Sequence, residues 1–123
     1  MRKFLLAAMA VVMVMGISRI ATAEVLTANK LLDWCESGIT SDKTICLGYL
    51  AGFIQGIDTA NSIRKMGAQL CLPKNFSANQ LRKMFVKETN EMPENLHLHA
   101  VEFLYVFTAK PFLKPTAEGN CPD

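Results

Sequence analysis

The sequence contains two histidines, one tryptophan and four cysteines, and no two cysteines stand in a Cys-x-x-Cys pair. That spacing excludes a thioredoxin-like redox motif. It also argues against zinc, because intervals of 10, 24 and 49 residues between Cys35, Cys46, Cys71 and Cys121 supply no close pair of ligands. No phosphate-binding loop, hydrolase elbow or metalloprotease motif is present. His97 and His99, two positions apart, would point to different sides of a helix and have no further imidazole to join them. Asp58 reads as a locally bonded or solvated carboxylate, with a buried one as the alternative, and Glu91 and Glu94 flank a turn at Pro93. Without a nucleophile–base arrangement or a metal set, the expectation is a protein that is not an enzyme and uses no cofactor.

Long apolar runs are also missing. Phe4 to Met15 gives 12 apolar residues, short of the about 20 that a membrane-spanning helix needs. It follows Arg2 and Lys3 and precedes Ala21-Thr22-Ala23, the pattern of a secretory signal peptide cut before Glu24. Residues 24–123 are then the single expected domain, exported to the periplasm. They carry 10 Lys and Arg against 11 Asp and Glu, a net charge near −1, whereas the full chain is +2. The basic excess leaves with the signal, and with it the electrostatic case for nucleic acid or an anionic membrane. Four cysteines in a small exported domain read as two disulfides.

What remains is helical in pattern. Thr27 is a candidate N-cap for a helix over Ala28 to Glu36, with Leu31, Leu32 and Cys35 on one face and Ser37-Gly38 as its stop. A second helix is expected from about Lys43 to Ile63. Gly48, Gly52 and Gly56 share one face of it and predict a close approach by another helix, or a membrane dimerisation motif as the weaker alternative. Arg64 to Leu72 reads as a loop. Ser77-Ala78-Asn79-Gln80 is a capping box, with Phe76 and Leu81 in the staple positions, and Leu81, Met84, Phe85 and Met92 as the inward face. A fourth helix is expected from Leu98 to Lys110, buried through Ala100, Phe103, Leu104 and Phe107 and thickened by Val101 and Val106. The rest, from Phe112, reads as a tail, and no strand pair is indicated. The fold class is therefore all-α, a compact bundle of about four helices stapled by two disulfides.

Three cysteine pairings are open. A continuous second helix, roughly 30 Å long, separates Cys46 from Cys71 and favours Cys35–Cys46 with Cys71–Cys121. A kink at Gly52 or Gly56 would reopen the other two.

Leu31-Leu32 with Cys35, Cys46-Leu47-Gly48-Tyr49-Leu50-Ala51-Gly52 and a following Asp58 form half of a familiar pattern. Cys71-Leu72-Pro73, Gln80-Leu81, Pro93-Glu94 and Leu96-His97 with Ala100 form the other. Together they resemble the Rap/Tai family of immunity proteins linked to type VI secretion, over nearly all of residues 24–123. Two departures from that family are the tail before Cys121 and His99 where a proline is common. The resemblance implies an all-helical periplasmic protein, often a homodimer, that binds and blocks a secreted peptidoglycan amidase effector. An inhibitor of a cleft enzyme needs a projecting edge, and two segments qualify: the Arg64 to Lys74 loop and the Glu91 to His99 turn. Arg64, Lys65, Gln69, Lys74, Glu91, Glu94 and His99 are the candidate contact residues. A small periplasmic stress or acid chaperone, or a structural subunit of an envelope complex, would share the export signal and the disulfides.

Overall fold

Thr27 takes an extended backbone conformation and accepts a hydrogen bond from the Lys30 N–H on its hydroxyl at 3.3 Å. This starts α1, Ala28–Glu36, whose buried residues Ala28, Leu31, Leu32 and Cys35 fall at the i, i+3, i+4, i+7 spacing of one helix face. The computed structural model describes residues 24–63, 67–116 and 121; the expected signal segment lies outside them, as do Arg64 and Lys65. Ser37 turns the chain, accepting the Ile39 N–H at 3.0 Å and donating to Asp42 Oδ2 at 2.7 Å. The next helix, α2, runs unbroken over Thr40–Ile63. Its buried stripe is narrow, consisting of Cys46, Leu50 and Ile57. The Cys35–Cys46 disulfide closes the corner between α1 and α2.

Helix α3, Ala78–Glu91, begins at the complete capping box: Gln80 N–H donates to Ser77 Oγ at 3.2 Å, and Ser77 N–H to Gln80 Oε1 at 2.8 Å. Leu81, Phe85 and Thr89 are buried, while Met84 is only half-buried. Thr89 can occupy a core position because its hydroxyl bonds to the carbonyls of Phe85 and Val86, at 2.8 and 2.9 Å. Arg82 Nη1 donates to the Cys35 carbonyl at 3.0 Å and so satisfies one of the free carbonyls at the end of α1. The last helix, α4, is short in its α form, Ala100–Phe103, and continues as a π-helical turn over Leu104–Thr108. The Ala109 N–H reaches back to the Leu104 carbonyl at 2.7 Å. This wider turn rotates the side chains that follow Phe103, so Val106, expected inward, is about half exposed, while Thr108 and Ala109 are buried. Val101, ahead of the turn and also expected inward, is about half exposed as well.

The four helices meet in one core, where α1 and α2 pack on α3 and α4 closes against α1 and α3. Phe85 and Phe103 stack edge to face, 5.7 Å between centroids, and both are fully buried. Burial of each contributes about 1.5–3 kcal/mol. Before α1, the chain is tied to the turn that precedes α4. Ala28 and Asn29 N–H groups donate to the carbonyls of Leu98 and Leu96, and the Ala100 N–H donates to Leu26 O. The first two bonds satisfy N–H groups that the start of a helix leaves without intrahelical partners.

Two short strands were not expected. β1, Gly67–Leu70, pairs antiparallel with β2, Leu113–Thr116, in the register Gly67↔Thr116 to Leu70↔Leu113. They cover a second, smaller core of Ile57, Leu70 and Ala109, flanked by Phe53, Leu72 and Phe112. The expected loop and tail are thus partly a ladder. Cys71–Cys121 lies just beyond β1 and joins this module to the end of the chain.

Candidate partner-binding site

The chain leaving β1 is held on several sides before it enters α3. Cys71 is bonded to Cys121, and its N–H donates to the Phe112 carbonyl at 2.8 Å. The Phe76 N–H closes a turn on the Pro73 carbonyl at 3.1 Å. Asn75, inside that turn, has φ 65°, a left-handed conformation that asparagine tolerates better than most residues. Phe76 then packs edge to face on Phe112, 5.2 Å between centroids. Pro73, Lys74 and Asn75 are consequently exposed at the tip of a segment whose ends are fixed.

Between this segment and α2 lies an open groove of about 290 Å³, lined by Ile54, Asp58, Leu72, Pro73, Lys74, Asn75 and Phe76. Asp58 is exposed at its rim, which removes the buried-carboxylate reading. A groove of mixed polar and apolar lining, with one acidic and one basic side chain, can hold a protruding side chain of a partner. A second groove, of about 260 Å³, lies between residues 24–27 and Lys30 and Trp34 of α1, with Lys30 Nζ 5.6 Å above the Trp34 ring.

The candidate residues among those described do not form one cluster. Gln69 is 3% exposed in β1 and presents no surface to a partner; the strand pairing turns it into the interior. Lys74 stands at the groove. Glu91, Glu94 and His99 are all exposed, at the other end of α3. That helix has 14 residues, so about 21 Å separates the two regions. Glu91 pairs with Lys87 at 3.8 Å, one helical turn away. The Glu94 turn is a 3-10 helix, Pro93–Asn95, braced by a 2.9 Å contact between His97 Nδ1 and the Glu94 carbonyl. Leu72 and Pro73 fall within the Arg64 to Lys74 segment named from sequence, whereas Ile54, Asn75 and Phe76, which also line the groove, lie outside it. The Pro73-to-Phe76 stretch before the capping box was the available signal, since Pro and Asn mark turns.

The glycine face also differs from expectation. Gly48, Gly52 and Gly56 are exposed, and a Cβ added at any of them would meet nothing within 4 Å. Among the described residues, no neighbouring helix approaches that side. The core takes the opposite face, where Cys46, Leu50 and Ile57 lie.

Among the described residues, no group of three or more His, Cys, Asp or Glu could hold a metal ion. No described helix is long and apolar enough to cross a membrane. Tyr49, beside the main core, has its phenol pushed above the ordinary value by burial. Compared with known proteins, residues 27–112 match the family model of Rap1a immunity proteins. No curated protein and no solved structure gives a match.

Proposed function

This chain belongs to the Rap1a immunity protein family, and from that membership we propose that it is a periplasmic immunity protein against a peptidoglycan amidase delivered by type VI secretion. It acts as a stoichiometric inhibitor with no chemistry of its own. The family match, from the N-cap of α1 to the end of the second core, carries this reading. The secretory pattern of residues 1–23 and the two disulfides support an oxidising, exported location. The 71–76 segment and its groove form the inhibitory surface in this proposal. Its disulfide, hydrogen bond and aromatic contact hold it in one conformation, which lowers the ordering cost of binding. Self-association into a homodimer belongs to the same proposal and would appear in sedimentation as a concentration-dependent mass.

The test uses the purified oxidised protein and any exported peptidoglycan amidase whose gene adjoins its own. Peptidoglycan cleavage should fall in proportion to added protein and reach its minimum at a fixed molar ratio. Cleavage unaffected by excess protein, with no complex on gel filtration, would sink the proposal.

A further inference from the structure

The two disulfides lie in different surroundings. Cys35 and Cys46 are both 0% exposed, enclosed by the main core. Cys71 and Cys121 are both partly exposed, at the edge of the smaller core. Thiol–disulfide exchange needs a thiolate to reach a sulfur, so only the second bond is open to attack in the folded protein.

The groups around Cys121 suit its release. Asn61 Nδ2 donates to the Leu70 carbonyl at 2.8 Å and lies 3.9 Å from Cys121 Sγ, where it can stabilise a departing thiolate. Gln69 Oε1 is 4.0 Å from the same sulfur. The bonded sulfur carries no proton to share with it, but a Cys121 thiol would donate to that oxygen. Nucleophilic attack therefore falls on Cys71 Sγ, with Cys121 as the leaving group.

We propose that Cys71–Cys121 is a redox latch on the 71–76 segment, opened by a dithiol reductant while Cys35–Cys46 stays closed. The first reductant thiolate bonds to Cys71 Sγ and breaks the link to Cys121. The second reductant thiol then displaces Cys71, leaving the reductant as a disulfide. Two electrons and two protons pass to the protein, which ends with two thiols. The helical core is untouched, because its own disulfide is sealed and α1, α3 and α4 pack away from the latch. The β1–β2 ladder, the Cys71 N–H bond and the Phe76–Phe112 contact are left as the remaining links between the segment and the C-terminal part of the chain. The effect on inhibition rests on the reading of this segment as the inhibitory surface; the selective opening does not.

Oxidised protein titrated with dithiothreitol, trapped with iodoacetamide and mapped by mass spectrometry tests the latch. Cys71 and Cys121 should label together at reductant concentrations at least about tenfold below those that label Cys35 and Cys46. Over that first step the far-ultraviolet circular dichroism should hold steady, while amide exchange rises over residues 71–76 and 113–116. Simultaneous opening of both disulfides, prior opening of Cys35–Cys46, or unchanged exchange in the segment would each overturn the proposal. A C71S/C121S variant should reproduce the exchange pattern and bind the amidase at least about tenfold more weakly than the oxidised protein. Undiminished binding by a folded variant would refute the control of inhibition. If the variant does not fold, the wild-type titration still decides. An oxidised protein that binds no amidase would refute the immunity reading and leave the titration result standing.

Discussion

Replacing Gly48, Gly52 and Gly56 with alanine, singly and together, should stabilise the protein. All three lie inside the unbroken helix α2, are exposed, and have open space where a Cβ would stand. A helical glycine is about 0.8–1.0 kcal/mol less favourable than alanine, because the unfolded chain has more freedom to lose. Each single change should therefore add about 0.8–1 kcal/mol, and the triple variant about 2–3 kcal/mol. Some departure from additivity is expected between sites one helical turn apart. For a domain of this size, 1 kcal/mol moves Tm by about 4–8 °C, so the triple variant should melt roughly 10 °C or more above the wild type. Urea unfolding followed by circular dichroism gives the free energies, with an unchanged m-value showing that the states compared are the same. A triple variant less stable than the wild type at low protein concentration would refute the picture of an open face. A loss confined to high concentration would instead show that a second copy of the chain covers it.

Other perturbations test separate parts of the structure. Ser77→Ala removes the acceptor of the capping box and should cost about 1 kcal/mol in the same urea assay. Asn75→Gly should be neutral or slightly stabilising, whereas Asn75→Val should cost about 1–3 kcal/mol, because a β-branched residue resists the left-handed backbone there. At the groove, Asp58→Lys and Lys74→Glu should each weaken amidase inhibition at least about tenfold, while Glu94→Lys should leave it unchanged; equal effects at both ends of α3 would contradict the assignment of the surface. The raised Tyr49 phenol sets a pH dependence. Its contribution is fully present below the ordinary tyrosine value of about 10 and is lost as pH rises from there towards the raised value, because the unfolded chain releases the proton first. Stability measured across that range should fall less steeply in Tyr49→Phe.

Much of the helical architecture was legible because its signals are local. Thr27 before an apolar stripe and Ser77 with Gln80 name helix starts through short-range hydrogen bonds, and both helices begin there. The length of an uninterrupted α2 bears on the cysteine pairing, since a rod of that length keeps Cys46 away from Cys71. The misses have non-local causes. β1 and β2 are more than 40 positions apart, and Pro115 argues against a strand unless the partner is known. Thr89 is not part of the inward face expected from Leu81, Met84, Phe85 and Met92, because a polarity pattern does not show the two backbone acceptors that let its hydroxyl be buried. The π turn in α4 shifts which side chains face inward after Phe103, and helical periodicity assumes no such shift. The glycine spacing identified one face of α2 correctly but misjudged its neighbour. The groove depends on Ile54 and Asp58 meeting residues 72–76, a meeting no short motif encodes.

The bonds that tie Ala28, Asn29 and Leu26 to Leu98, Leu96 and Ala100 fix an order of events. The start of the first helix is satisfied by peptide groups some 70 positions later, so this closure cannot form until residues 96–100 exist. Contacts of that span also slow folding, since the loop must close before they can reward it. A chain threaded through a membrane pore from its N-terminus would reach the far side with its closing partners still behind it. During any such passage the fold would stay unfinished until the segment around Ala100 emerges.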